Sequence, residues 1–559
     1  MRREPDVWGG VAGVIMLAAA SLALAGCGGA HHSRVAGCAG TPAAVAASAP
    51  VVPSGPAAAT AWTQPDGDLQ STRDVASAIT AANVSQLGVA WCVPIESTGS
   101  ARAAGATDGY ATTPVVVDGV VYTQDLQSNV MAIRLATGMV LWRHDYGSPN
   151  AGPDGVTVAD GVVFAATNSA AVALSAATGR QLWSRTLVRN SHEGIDMAPG
   201  YHDGTVYVST VPTNVADRGT YPGGGKAVLW ALNAATGAPE WSWDEVGNLW
   251  GNPGINSGGG LWYPPSFDTQ GNLYLGVANP GPIGEQGWPA GYPWGTSRPG
   301  PDLYTDSVVK LSPTGRLLWY YQLTPHDLYD WDLQDPPVLT TVHGRPVVID
   351  AGKAGIAIEL DAETGALLWK RQVGVHSGHD NDGLLTERAR PTTPIPLPAE
   401  FDLEPGVFGG VESQLASNGS TVFAAVNNLA VPMSVKGVSE SSQALIAAIG
   451  KATGEMVALD QSTGKIKWDD QLPSSPYGAA TVTNNVMFTT TYNGYLYAFN
   501  TDTGAILLKR PMSAGSNAPV AIDGDYLIAG AAAARSKNEK PLIIAYKLAA
   551  TGKLPDTVP

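Results

Sequence analysis

The sequence predicts an all-β fold, an eight-bladed β-propeller whose ring is closed by an N-terminal strand. Three observations support this prediction. The 559 residues include 66 Gly and 41 Pro, a composition that favours many short strands and turns. A Thr-Gly corner recurs along the chain and is followed in most copies by Trp. An early apolar run, residues 87–91, ends in a Trp but has no corner of its own.

The recurring unit is an apolar run, a Thr-Gly corner, three residues and then Trp. Six copies follow this pattern: Thr137-Gly138 with Trp142, Thr178-Gly179 with Trp183, Thr236-Gly237 with Trp241, Thr314-Gly315 with Trp319, Thr364-Gly365 with Trp369, and Thr463-Gly464 with Trp468. A seventh corner, Thr503-Gly504, has Leu508 in place of Trp, and an eighth, Thr551-Gly552, precedes a short polar tail. Glycine tolerates a positive φ at a tight corner, and a regularly placed Trp can pack between sheets while its N–H meets a carbonyl. Eight corners therefore predict eight blades.

The eighth unit lacks its Trp, whereas Trp91 lies in the early run that has no partner strand in its own repeat. We expect this run to complete the last blade, because closure removes an exposed sheet edge. The unequal spacing of the corners also indicates insertions around residues 280–305 and 375–440. Long loops in a compact fold often carry function.

The N-terminus has the features of a secretory leader. Arg2 and Arg3 precede the apolar run 11–25, which is too short to cross a membrane comfortably. The run ends at Leu24-Ala25-Gly26-Cys27, which resembles a bacterial lipobox. That resemblance implies that Cys27 is lipidated, and a plain signal peptide or an uncleaved anchor is the alternative. We expect a cell-envelope protein, either lipid-anchored on the outer side of the cytoplasmic membrane or secreted.

Three segments follow from this interpretation: a lipoprotein signal peptide (residues 1–26), a flexible tether (27–60) rich in Gly, Ala, Ser and Pro, and the propeller (61–559). In an oxidising compartment Cys38 and Cys92 could pair, although Cys38 lies in the tether. The net charge of −16 argues against nucleic acid as a partner, so we expect membrane contact only through the lipid anchor.

One acidic stretch, residues 324–337, differs from the rest of the chain. It contains four Asp (327, 330, 332 and 335), although charged residues make up only 14% of the sequence. Carboxylates held together repel one another, and each needs a cation, a hydrogen-bond donor or water to stay ionised. The stretch is therefore either a metal or general-base site or a solvated acidic loop.

Several segments resemble the quinoprotein alcohol dehydrogenase family, the enzymes that use pyrroloquinoline quinone (PQQ). The resemblance covers most of residues 62–510 and is carried by an ordered set of residues: Trp62, Ser71-Thr72-Arg73, Asn83-Val84, Met197-Ala198-Pro199, Trp262, Phe267-Asp268, Asn279-Pro280-Gly281-Pro282, Arg298-Pro299-Gly300, His326-Asp327, Asp330 and Lys353-Ala354-Gly355. It implies an eight-bladed propeller with the cofactor on its axis. It also implies oxidation of a small alcohol or sugar hydroxyl, with the electrons passed to an external acceptor.

The resemblance also implies roles for individual residues. Asp330 falls on the general base, Trp262 on the ring that stacks under the flat cofactor, and Lys353 on the cation that bonds the quinone oxygens. Asn279 and Asp330 fall on ligands of a calcium or lanthanide ion, and Asp332 matches the Asp of the lanthanide-using branch. Carboxylate and amide oxygens suit such hard cations. Without the resemblance, Asp330 and Asp332 have a plain alternative role, bonding corner backbone as Asp does in turns.

The sequence departs from the family at several positions. The vicinal Cys pair that covers the cofactor is absent, and Ala111 replaces a Glu that contacts it. Asn214 replaces a metal-ligand Glu, a loss for which Asp332 could compensate, and Glu412 replaces an Asn. These departures favour a rival hypothesis, a non-catalytic PQQ-like propeller that serves as an envelope binding or assembly scaffold.

Two other clusters have the composition of a possible ligand site. His376, His379, Asp380 and Asp382 have a spacing that a metal could use, but they lie in a Gly-rich segment without Cys, which favours a solvated loop. The glycine run 258–260 opens no helix, so it does not indicate a phosphate-binding loop.

Overall fold

The computed structural model describes residues 38, 62–97, 109–212, 225–247, 250, 256–281, 298, 300–384, 400–434, 437–438, 448–534, 536 and 538–555. Within them the regular structure is nearly all β-strand, with a short 3₁₀ helix at Val84–Gln86. The predicted signal peptide, Cys27, the predicted tether apart from Cys38, and Asn214 lie outside the described residues. None of the described helices is long and apolar enough to span a lipid bilayer.

Eight antiparallel sheets follow one another as blades, numbered here in chain order with the first strand innermost. The strands of blades 1 to 4 are Val115–Val117, Val120–Gln124, Val130–Arg134 and Val140–His144; Val156–Ala159, Val162–Ala166, Ala170–Ser175 and Gln181–Thr186; Gly200–His202, Thr205–Ser209, Val228–Asn233 and Pro239–Asp244; and Ser266–Phe267, Leu273–Val277, Ser307–Leu311 and Leu317–Gln322.

Blades 5 to 8 continue the pattern. Their strands are Val338–Val342, Arg345–Gly352, Ile356–Asp361 and Leu367–Gln372; Gly410–Val411 with Ala416–Ser417, Thr421–Asn428, Thr453–Asp460 and Ile466–Leu472; Thr481–Thr483, Val486–Thr491, Tyr495–Asn500 and Ile506–Pro511; and Ala521–Asp523, Tyr526–Ala531, Leu542–Leu548 and Leu87–Pro94. Short strands outside the blades pair as Glu193–Gly194 with Val211–Pro212, Ser257–Gly258 with Pro280–Gly281, and Glu400–Leu403 with Val431–Ser434 and Gly437–Val438.

Burial explains which sequences form which strands. Middle strands such as Ala170–Ser175 are buried almost throughout, because neighbouring blades cover both faces, and they read as continuous apolar runs. Outer strands such as Leu367–Gln372 alternate between exposed and half-buried positions and carry charged residues. The predicted all-β propeller with eight blades is confirmed.

The Thr-Gly-Trp corners are contacts between blades. Trp142 Nε1 donates to the carbonyl of Ala176 (2.8 Å), and its ring packs on Gly179 of the next corner, where an added Cβ would lie 2.5 Å away. The same packing of a Trp on the next corner's Gly recurs in five further pairs: Trp183 with Gly237, Trp241 with Gly315, Trp319 with Gly365, Trp369 with Gly464, and Trp468 with Gly504. Glycine is required because these corners combine a positive φ with ring contact.

The N-terminal strand closes the ring as predicted. Leu87–Pro94 pairs antiparallel with Leu542–Leu548 in blade 8. Its Trp91 packs on Gly138 of blade 1, and Trp91 Nε1 donates to the carbonyl of Leu135 (2.6 Å). A disulfide between Cys38 and Cys92 ties a residue of the predicted tether to this strand.

The segment just before that strand crosses the inner strands of several blades. Backbone N–H groups of blades 1, 4, 5, 6 and 7 donate to its carbonyls in five bonds: Val116 to Trp62, Phe267 to Leu69, Leu339 to Gln70, Ser417 to Thr72, and Val482 to Arg73. The Arg73 side chain is fully buried and donates to Asp66 (3.0 Å) and Thr481 (2.8 Å). The segment therefore joins blades that are distant in sequence.

Candidate active site

The acidic stretch connects the outer strand of blade 4 to the inner strand of blade 5. Asp327 organises it, since its carboxylate accepts the backbone N–H groups of Tyr329 and Trp331 (both 3.0 Å). Asp330 adopts a φ of 63°, which is uncommon for a residue other than glycine. The stretch is mostly buried, which excludes a solvated acidic loop, and Asp327 has a structural role.

Lys353 is the centre of the site. It lies just after the second strand of blade 5, and its Nζ lies 3.4 Å from Asp330 Oδ2 while also pairing with Asp332. Asp332 Oδ1 accepts the backbone N–H of Asn279 (2.8 Å). Lys353 Nζ lies 4.7 Å from the ring centroid of Trp262, at cation–π distance. The structure thus brings together all five residues that the sequence predicts for the site.

The charges in the site depend on one another. Lys353 and Asp332 are 2% and 1% exposed, whereas the Asp330 side chain is 20% exposed. Burial raises the pKa of the Asp330 carboxyl well above its usual range, with Lys353 opposing the shift and Asp332 adding to it. Burial alone would lower the pKa of Lys353, but Asp330 and Asp332 together raise it well above its usual value. Two carboxylates therefore share one ammonium, and Asp330 is the one open to a ligand.

Two of the positions that depart from the family also lie in the described structure. Glu412 is buried, its Oε1 has no hydrogen-bond partner, and burial raises its pKa to about 7, with Lys353 opposing the shift. Ala111 is 4% exposed and brings no polar side chain to the protein interior. Among the described residues, no three His, Cys, Asp or Glu side chains form a group that could hold a metal.

A network that the sequence analysis missed fixes the positions of Trp262 and Asn279. Glycines 258, 259 and 260 have φ values of 102°, 70° and 126°, so the backbone bends sharply before Trp262. Gly259 N–H donates to the carbonyl of Asn279 (2.8 Å), and Gly260 N–H donates to Glu245 Oε2 (2.7 Å). The glycine run signals such a bend, but nothing in the sequence indicates its buried anchor.

That anchor is a buried carboxyl with a hydroxyl partner. Ser209 Oγ donates to Glu245 Oε1 (2.6 Å), and Glu245 is fully buried. Burial raises the pKa of Glu245 to about 8, although the bonds from Ser209 and Gly260 act to lower it. This carboxyl therefore holds the bend that carries the aromatic ring of the site.

The prediction of a solvated loop at residues 376–382 is only partly right, because Ser377, Gly378 and Asn381 are exposed but the two histidines are largely covered. His376 and His379 are 11% and 15% exposed, and each pairs with an acidic side chain, Asp380 (2.6 Å) and Asp382 (2.7 Å) respectively. The cause is packing against segments distant in sequence, including Phe401, whose ring stacks on His379 at 4.0 Å. His379 is linked to the acidic stretch through Asp382, which accepts the hydroxyl of Tyr329, whereas His376 contacts the carbonyls of Gly355 and Val373.

The described residues fit the groups that the resemblance implies. The carboxylates of Asp330 and Asp332, which share one ammonium, are oxygen donors that a hard cation takes, and Asn279 is tied to Asp332 through its backbone N–H. An indole face beneath a cation suits a flat, anionic ring, and the unpartnered Glu412 Oε1 leaves one more polar contact for such a ring. The match between the site and the implied cofactor depends on Lys353 and Trp262 together.

Two family models match the chain. The PQQ model, described as the β-propeller domain of glucose/ethanol/alcohol dehydrogenase, matches residues 62–155 and 196–409. A second model, described as outer membrane protein assembly factor BamB, matches residues 129–250 and 409–549. The first model describes a propeller domain and covers Trp262, Asn279, Asp330, Asp332 and Lys353.

Individual relatives agree with the first model. A quinohemoprotein alcohol dehydrogenase from Comamonas testosteroni is 28% identical over 533 residues, covering 81% of this chain and 68% of that protein. A 1-butanol dehydrogenase (cytochrome c) from Thauera butanivorans is 28% identical over 506 residues, covering 80% and 70%. The solved quinohemoprotein alcohol dehydrogenase ADHIIG from Pseudomonas putida has a TM-score of 0.73 at 21% identity, covering 89% and 82%, which supports the fold.

Proposed function

The chain belongs to the PQQ-dependent glucose/ethanol/alcohol dehydrogenase β-propeller family, and we propose that it is a quinoprotein dehydrogenase that oxidises an alcohol or sugar hydroxyl. The observation that carries the proposal is the position of Lys353 Nζ, between Asp330 and Asp332 and above the ring of Trp262. The named relatives are alcohol dehydrogenases, which favours a small alcohol as substrate.

Each residue then has a defined task. Trp262 would support the flat cofactor, and Lys353 would stabilise the negative charge that its oxygens gain on reduction. When bound, PQQ would supply the two-electron acceptor that alcohol oxidation needs. Asp330 takes the proton of the substrate hydroxyl, which its partial exposure allows. The two electrons then leave to an external acceptor.

A calcium or lanthanide ion bound by Asn279, Asp330 and Asp332 completes the proposal. Burial raises the pKa of Asp330, which opposes ionisation at a position where a base is needed. A bound cation opposes that shift and keeps the carboxylate ionised. Asp332 supplies a second carboxylate to such an ion.

We also propose that the protein is held at the cell envelope through lipidated Cys27, without binding nucleic acid. The lipobox-like residues Leu24-Ala25-Gly26-Cys27 and the basic residues at the N-terminus support this location. Mass spectrometry of the mature N-terminus tests it. A diacylated Cys27 is expected, and a chain that begins elsewhere without lipid contradicts it.

Reconstitution tests the enzymatic proposal. Purified protein is incubated with PQQ plus calcium or a lanthanide, and dye-linked oxidation of an alcohol and sugar panel is measured. We expect turnover that depends on both additions. Asp330→Asn should lower kcat at least about 100-fold, since general-base catalysis contributes that much, while the variant still binds PQQ. Turnover by Asp330→Asn at the wild-type rate would refute the assignment of the base.

The rival function is a non-catalytic envelope scaffold. The match of the BamB model to residues 129–250 and 409–549 favours it, as do Ala111 and the missing Cys pair. This function predicts no PQQ binding with any metal and no turnover, together with specific capture of envelope proteins. The reconstitution experiment separates the two functions directly.

A further inference from the structure

The two acidic residues of the site alternate with two aromatic residues that lie on the far side of the same backbone. Tyr329 and Trp331 are 4% and 2% exposed, and their rings meet edge to face at 5.0 Å. Tyr329 OH donates to Asp382 Oδ2 (2.5 Å), and Trp331 Nε1 donates to the carbonyl of Pro405 (3.0 Å). Both partners, Asp382 and Pro405, lie in the insertion that follows blade 5. This insertion therefore holds the two residues on either side of Asp330.

Asp382 is the centre of that grip. It is 7% exposed, and the same oxygen that accepts the Tyr329 hydroxyl lies 2.7 Å from His379 Nδ1. The His379 ring stacks on Phe401, which in turn lies edge-on to the Tyr329 ring at 6.3 Å. We name Tyr329, His379, Asp382 and Phe401 the tyrosine clamp. Its members touch one another in a closed cycle, so no one of them turns without disturbing its neighbours.

The insertion also holds the turn that carries Lys353. His376 Nε2 lies 3.1 Å from the carbonyls of Gly355 and Val373, and its Nδ1 lies 2.6 Å from Asp380 Oδ1. Both ring nitrogens therefore face acceptors, which requires a doubly protonated ring. Residues 373–384 thus contact both parts of the site, the stretch that carries Asp330 and the turn that carries Lys353.

We propose that Tyr329 and Asp382 are positioning residues that hold the Asp330 carboxylate at Lys353 and at the substrate hydroxyl. This inference rests on the proposed function, because it assumes that Asp330 is the base. Asp330 itself has a positive φ and a partly exposed side chain, so its contact with Lys353 at 3.4 Å does not by itself fix the direction of the carboxylate. The tyrosine clamp acts on Asp330 through the backbone of the adjacent residue, Tyr329, and it contacts neither the cofactor nor the substrate.

Tyr329→Phe tests the proposal with the smallest possible change. It removes one hydroxyl, and a base displaced by a fraction of an ångström should cost about 10- to 100-fold in kcat. KM and the amount of bound PQQ should stay unchanged, because the ring and the binding residues remain. A matched control is Tyr201→Phe, which removes another Tyr–Asp bond, to Asp160 Oδ2 (2.6 Å), between blades 2 and 3. The control should keep the wild-type kcat.

Two substitutions of Asp382 provide a second test of the proposal. Asp382→Asn keeps an acceptor for the Tyr329 hydroxyl and should retain most of the wild-type kcat, whereas Asp382→Ala should match Tyr329→Phe or fall below it. Equal kcat values in Asp382→Asn and Asp382→Ala would overturn the proposal. So would a wild-type kcat in Tyr329→Phe.

Hydrogen exchange separates this inference from the proposed function, because it needs neither cofactor nor turnover. Amides of residues 326–333 should exchange at least about 10-fold faster in Tyr329→Phe than in wild type, and at the wild-type rate in Tyr201→Phe. Unchanged exchange in Tyr329→Phe overturns the clamp even if the enzyme is active. Faster exchange in a protein that never turns over alcohols keeps the clamp and refutes the function.

Discussion

The rim of the propeller differs in construction from the site around Lys353, which we name the axial site because the family resemblance implies a position on the propeller axis. At the rim, one contact is repeated: in seven corners a Trp Nε1 donates to a backbone carbonyl at 2.6 to 3.2 Å, and the ring packs on a glycine. On the axis, each contact occurs once, and three charged side chains depend on a single ammonium, Lys353. Stabilising contacts are therefore distributed around the ring, whereas the residues of the proposed site are concentrated around one connection between blades.

The largest effect should come from removing the cation of the axial site. Lys353→Met leaves Asp330 and Asp332 buried against each other, which should cost about 3–5 kcal/mol in the free energy of unfolding. Urea unfolding measures it. Lys509→Met is the matched control, since Lys509 lies over the Tyr495 ring (4.9 Å) on an exposed outer strand, and it should cost less than about 1 kcal/mol. Equal losses of unfolding free energy in the two variants would mean that the axial site is no more sensitive to loss of a lysine than the rim.

A smaller effect is expected at a rim corner. Gly179→Ala places a methyl group 2.5 Å from the Trp142 ring at a φ of 69°, which should destabilise the fold by about 1–3 kcal/mol. Gly161→Ala is the control, because Gly161 has a similar φ of 75° but open space around it. Thermal unfolding of both variants separates ring contact from backbone strain. Turnover per folded molecule should stay at the wild-type value, and a drop with Gly179→Ala alone would show that the rim and the axis are coupled.

The smallest effect concerns pH and the anchor of the glycine bend. The pKa of Glu245 is raised from 4.5 to about 8 in the folded protein, so its stabilising contribution is complete below pH 4.5 and is lost as the pH rises through 8. The free energy of unfolding of wild type should therefore fall by about 1 kcal/mol more than that of Glu245→Gln between pH 6 and 7. Urea unfolding at both pH values measures the difference. Parallel pH profiles would mean that Glu245 is ionised when folded.

The same contrast explains what the sequence could predict. The corners repeat, so Gly179 and Trp142 identify their own roles, and the unpaired Trp91 correctly indicates ring closure. The unusual density of Asp draws attention to the stretch that contains Asp330, but Lys353 and the role of Asp330 are predicted only through resemblance to a known family, because a site that occurs once has no internal pattern. The resemblance indicated which residues form the site, but it did not indicate which residues hold them in place.

Those supports depend on contacts between distant parts of the chain. Glu245 meets Gly260 across a turn between blades, and Asp382 meets Tyr329 from a separate insertion. The histidine segment is less solvated than predicted for this reason, since its polar composition is typical of a solvated loop and the Phe401 ring that covers His379 lies 4.0 Å away only after folding. Composition does not reveal which polar residues find buried partners.

Native mass spectrometry of the folded protein titrated with PQQ and calcium or a lanthanide tests the central claim most directly. We predict one PQQ and one metal ion bound per chain in wild type, and no PQQ in Lys353→Met or Trp262→Ala variants that remain folded. Absence of PQQ from wild type with every metal would contradict the account. Binding that survives both substitutions would contradict it as well, because the cofactor would then lie elsewhere on the propeller.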